Sequence, residues 1–124
     1  MAVPILKQGN VLIASIQAAL SDLDLRQLRD ELAERVGTAR ARGVIVDVTA
    51  LDVLDSFATR TLRGIAYTAK LRGAHTIVVG IQPDVAFAMV QLGLRLDGVD
   101  TGLDLDDGLA LLQRRARGTT LRGQ

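Results

Sequence analysis

Two short β-branched runs, VIVDVTA at residues 44–50 and AHTIVVGI at 74–81, are separated by a stretch with the period of a helix. Runs of this length with almost no polar alternation suit strands covered on both faces. Joined through a helix they form a strand–helix–strand unit, which commits the chain to a parallel pairing and an α/β layer. Between them, Ala58, Leu62, Ile65 and Ala69 recur at helical spacing over residues 56–71, and Gly73 follows as a stop.

The flanking segments extend this pattern. Residues 3–7 and 11–16 are apolar runs split around Gly9-Asn10, a pair that predicts a tight antiparallel hairpin. Leu25, Leu28, Leu32 and Val36 mark one face of a helix, with arginine and glutamate opposite. Ser21, Asp22 and Asp24 are its alternative caps, and Gly43 ends it. Pro83 opens a further helix with Val85, Met89 and Leu92 inward, closing near Gly93. Residues 99–105 can supply a last short strand. Residues 104–118 read as a final helix with acids in its first turn and arginines in its last, as the helix dipole favours. The expected order is β-β-α-β-α-β-α-(β)-α, a single α/β domain over 3–117 with a mixed sheet of four to five strands and a flexible tail at 118–124.

Composition removes several function classes. With 15 basic and 14 acidic side chains the formal net charge is +1, and aromatics make up only 2%. Neither an electrostatic footprint nor stacking platforms for nucleic acid are present. The absence of cysteine excludes disulfides, thiolate metal sites and cysteine nucleophiles. No apolar run approaches the roughly 20 residues of a membrane span, and no signal segment opens the sequence, so a cytoplasmic setting is expected. No Walker loop, G-x-G-x-x-G or H-E-x-x-H occurs. His75, the one histidine, opens a strand without a nucleophile or acid beside it. Asp104, Asp106 and Asp107 are accounted for by a helix start rather than a metal. The expectation is a protein without catalysis, cofactor or metal. Asp47 stands apart, because a carboxylate inside VIVDVTA is costly unless paired or at the strand's wet end.

The junction between strand 44–50 and helix 56–71 reads LDVLDSFATR. Either Asp55 or Ser56 can cap the helix, a contribution of about 1 kcal/mol. If the apolar stripe faces inward, Arg60, Arg63 and Tyr67 face solvent and Phe57 lies at the boundary. Arg60, four residues beyond Ser56, is within reach of it. An exposed tyrosine flanked by arginines has the composition of interface hot spots, though an ordinary solvated face has the same pattern.

The stretches VPILKQGNVLIASIQ, GVIVDVTALDVLDSFATRTL, GAHTIVVGIQPDVAFAMVQLGL and TGLDLDDGLALL together resemble the STAS domain. More narrowly they resemble the single-domain anti-sigma-factor antagonists of the RsbS type, the scaffold subunits of bacterial stressosomes. DSF at the strand-to-helix junction and GIQP before the third helix carry most of that resemblance. It implies a non-enzymatic scaffold that assembles with RsbR-type STAS paralogues bearing sensor domains and holds an RsbT-type serine kinase. It further implies phosphorylation at Ser56, release of the kinase, and resetting by an RsbX-type phosphatase. The helical angles and composition around that serine point to Asp55, Phe57, Arg60, Arg63 and Tyr67 as the partner surface. Relatives often carry threonine directly before the glycine of GIQP, whereas this chain has Val79-Gly80, which argues against a second phosphosite there. Alternatives are a free anti-anti-sigma factor that binds an anti-sigma kinase directly, and a nucleotide- or anion-binding module at the helix start by Ser56. The latter lacks a glycine-rich cradle.

Overall fold

The computed structural model describes the backbone of residues 3–122 and the side chains of 3–117. Its elements are β1 (Ile5–Gln8), β2 (Val11–Ser15), α1 (Asp22–Thr38), β3 (Gly43–Asp47), α2 (Ser56–Leu71), β4 (His75–Val79), α3 (Pro83–Gln91), β5 (Asp100–Gly102) and α4 (Leu105–Arg122). Of the tail expected at 118–124, residues 118–122 are described by their backbone alone, within α4, and residues 123 and 124 lie outside the described residues.

The five strands lie in the sheet in chain order, β1-β2-β3-β4-β5. β1 and β2 are antiparallel with Gln8 opposite Val11, so the hairpin loop is Gly9-Asn10. Gly9 has φ +61° and Asn10 has a negative φ, the pattern of a type II′ turn, which needs glycine at its first central position. All remaining pairings are parallel. Strands laid down in one direction with a constant crossover hand place α1, α2 and α3 on one face.

Packing follows from that placement. Leu28, Leu32, Leu62, Ile65, Val85 and Met89 from these helices meet Leu12, Val44, Val46 and Val78 of the sheet. On the other face, Val11, Ile13, Ile45, Ile77 and Val79 are covered, among the described residues, by α4, chiefly through Leu112 with Leu105 and Leu109. β3 and β4 are therefore apolar on both sides, which is why their sequences show no alternation. The ion pair between Arg115 and Asp100 ties α4 to the last strand.

β1 is a sheet edge, and its outer side is partly occupied. The guanidinium of Arg35 on α1 donates to the Ile5 carbonyl at 3.2 Å, covering an acceptor that another strand would otherwise pair with.

Candidate functional site

The parallel crossovers bring the first turns of α1 and α2 to the same end of the molecule, at the carboxyl ends of β2 and β3. The regular ladder of β3 stops at Asp47, short of the expected residue 50, because the side chain takes over the backbone's bonding. Asp47 Oδ1 accepts from the Thr49 amide at 2.9 Å and from the Thr49 hydroxyl at 2.6 Å. The carboxylate in the apolar run is thus paired at the strand's wet end.

The following loop is anchored and displayed at once. Leu51 and Leu54 are buried, whereas Asp52 and Val53 are exposed. Gln82 reaches across from the loop after β4, its Nε2 donating to the Thr49 carbonyl at 2.7 Å. Gly80 has φ +83°, and a Cβ there would collide with the Thr49 side chain. Thr49, Gly80 and Gln82 form a clamp that sets the path of the chain toward α2. None of these three stood out in the sequence as a site residue, although Gly80 and Gln82 lie within GIQP.

Asp55 is the N-cap of α2, in extended conformation (φ −81°, ψ −178°). Its Oδ1 accepts from the Ala58 amide at 2.8 Å, and its carbonyl accepts from the Thr59 hydroxyl at 2.7 Å. The cap is therefore Asp55, and Ser56 becomes the first helical residue. Ser56 is exposed, and its hydroxyl has no hydrogen bond among the described residues. The other serines differ: Ser15 is half-buried in β2, and Ser21 caps α1 in a reciprocal pair with Asp24 (3.1 and 3.3 Å).

Along α2, Ser56, Arg60, Arg63 and Tyr67 fall at i, i+4, i+7 and i+11, one stripe about 16 Å long at the helical rise. Tyr67 is 67% exposed. Arg63 is half-buried and donates to the Arg95 carbonyl at 3.1 Å, so it braces the loop after α3 instead of extending into solvent as expected. Phe57 is half-buried, with Arg60 over its ring at 5.9 Å and Arg26 of α1 over it at 5.6 Å. The spacing allowed Arg60 to turn toward Ser56; the guanidinium stacks on Phe57. Arg26 was missed, since in sequence it reads as one more charge on the wet face of α1. An apolar pocket of about 120 Å³ opens beside Asp55, walled by Leu20, Leu25, Val53 and Leu54.

Among the described residues no group of three His, Cys, Asp or Glu is placed to hold a metal ion. His75 is exposed at the far end of the sheet. Asp104 caps α4 by accepting from the Asp107 amide at 2.9 Å, and Asp107 Oδ2 accepts from the Leu103 amide at 2.8 Å. No helix among the described residues is long and apolar enough to cross a membrane. Val79, at the position raised as a second phosphosite, is fully buried under α4.

Residues 2–107 match the family model of the STAS domain. The fold superposes on a variant of RsbS from Moorella thermoacetica with a TM-score of 0.80 and 36% identity, covering 93% of this chain and 97% of that one. A chain from the structure described as the molecular architecture of the stressosome matches with a TM-score of 0.74 and 35% identity, covering 92% and 99%. The RsbT co-antagonist protein RsbRA of Bacillus subtilis is 24% identical over 100 residues. This chain spans about a third of the length of the curated relatives it matches, 36% of RsbRA and 31% of RsbRD. With its five-stranded mixed sheet, its hairpin and its four helices, the chain belongs to the STAS domain family and, within it, to the RsbS type.

Proposed function

We propose that this protein is a non-enzymatic antagonist within a bacterial stress-sensing assembly, where it holds an RsbT-type serine kinase until that kinase phosphorylates Ser56. The observation that carries this reading is the division of labour at the start of α2. Asp55 supplies the cap, so the Ser56 hydroxyl stands exposed and uncommitted at the end of an anchored loop. A hydroxyl so placed can enter a kinase cleft without unfolding the helix. A phosphate at a helix N-terminus is tolerated electrostatically, so modification leaves the fold intact. The surface a partner meets does change, by about −1.5 to −2 charges on a patch formed with Asp55, Phe57, Arg60 and Tyr67. Release of the kinase follows from the cost of desolvating that anion against a surface shaped for a neutral hydroxyl.

Likeness to a chain of the stressosome structure and to RsbRA supports assembly with further STAS domains, both its own copies and RsbR-type paralogues. An RsbX-type phosphatase then restores the unmodified serine. The setting of such an assembly, on this reading, is the cytoplasm.

The test uses wild type, Ser56→Ala and Ser56→Asp with the cognate kinase. Mass mapping after incubation with ATP should put the phosphate on Ser56 and on neither Ser15 nor Ser21. Ser56→Ala should retain the kinase and Ser56→Asp should bind it more weakly. Melting temperatures of all three should agree closely, because a carboxylate in a first helical turn is favoured by about 0.3–1 kcal/mol. Equal labelling of wild type and Ser56→Ala overturns the assignment.

A further inference from the structure

We propose that Arg26 and Arg60 form the receiving site for the phosphate of modified Ser56, and that both leave the Phe57 ring to occupy it. This inference rests on Ser56 being the phosphoacceptor.

Both guanidinium groups stand over one ring, at 5.6 and 5.9 Å, and that ring belongs to the residue next to Ser56. Arg60 is one turn further along α2, where side chains four apart are neighbours. Arg26 arrives from α1 because the two crossover helices begin at the same end of the sheet. Both arginines are exposed, and neither has a carboxylate partner among the described residues. Asp55, the nearest acid in sequence, has one carboxylate oxygen engaged by the Ala58 amide. Two cations are thus held on the ring of the residue that adjoins Ser56, by a contact that is weak at an exposed site.

A phosphomonoester on Ser56 competes for them directly. It offers three acceptor oxygens and nearly two negative charges, and guanidinium pairs with phosphate in charge-assisted, bidentate geometry. Such a pair is stronger than stacking on a wet ring. Before modification the surface presents the Phe57 ring with two guanidinium groups over it. Afterwards the arginines close over the phosphate and the Phe57 face is left bare. A partner that recognises the first arrangement therefore loses its shape as well as its charge.

The experiment compares unmodified protein with protein carrying phosphoserine at position 56 through cotranslational incorporation. In the unmodified form the δ-methylene protons of Arg26 and Arg60 should be shifted upfield by the ring, and phosphorylation should return them toward random-coil positions. The second ionisation of the phosphate, followed by phosphorus NMR, should fall at least about half a unit lower in wild type than in a combined Arg26→Gln, Arg60→Gln variant. Retained ring shielding after phosphorylation, or identical titration in the two proteins, overturns the receiving site. Kinase affinity on the same samples separates the two levels. If phosphate weakens binding equally with and without the arginines, the receiving site is wrong and the Ser56 reading stands. If phosphate weakens binding in neither, the reading beneath it fails.

Discussion

Asp55 and Ser56 are neighbours with opposite commitments. The Asp55 carboxylate is spent on an amide of the first turn, and its removal leaves a helix end unsatisfied. Asp55→Ala should therefore cost about 1 kcal/mol, a fall in melting temperature of roughly 4 °C for a domain of this size. Asp55→Ser should recover most of that loss. Ser56→Ala removes no bond seen among the described residues and should shift stability by less than about 0.5 kcal/mol. Thermal denaturation of the three variants checks the ordering. Sequence reasoning reached this junction but left the cap open, because both residue types are good caps. Backbone geometry decides it: the extended residue before the helix is Asp55. Arg26 escaped notice for a related reason. Its relation to Phe57 spans two helices, and no local spacing encodes it.

At the scale of elements, periodicity was a good guide except at Leu92, expected inward but 71% exposed at the end of α3. Boundaries were a poorer one: α1 closes at Ala39, and Gly43, expected to end it, opens β3. Ala58, Leu62, Ile65 and Ala69 are all buried, as their spacing predicted. β3, β4 and β5 each stop earlier than their apolar runs suggest, and a side-chain or backbone event explains each. Asp47 turns onto Thr49, Gly80 adopts a positive φ, and Asp104 opens α4. The first two events belong to the clamp between the loops after β3 and β4. Thr49 and Gln82 are 33 residues apart, so the clamp is invisible to any local pattern. Gly80→Ala forces a side chain into a left-handed conformation and against Thr49, and should cost roughly 1–3 kcal/mol. Gln82→Ala is the gentler probe: removal of one donor should cost about 0.5–1.5 kcal/mol. Hydrogen exchange in Gln82→Ala should quicken at residues 49–53 and stay unchanged in α1. Uniform quickening across the domain would show that the clamp is not local to this loop.

For the whole molecule, the guarded edge and the displayed α2 stripe set expectations for assembly. Arg35 covers an acceptor on β1, so association through strand addition is disfavoured there. Light scattering should show complexes with RsbR-type STAS domains, and Arg35→Ala should leave those complexes intact while making the isolated protein more prone to fibrils that bind thioflavin. Loss of the complexes in that variant would place the contact at β1. The sheet's chain-order arrangement bears on synthesis as well. Each strand finds its neighbour already made, so the growing chain can add β3, β4 and β5 as they emerge, without threading. One face is covered during this growth, because each crossover helix appears between the strands it spans. The other face has no cover until α4 emerges after the complete sheet. A chain stopped at Asp104 should accordingly bind the dye ANS strongly and depend on chaperones. The full chain should do neither, and the ribosome-borne protein should remain sticky on one side until its final helix docks.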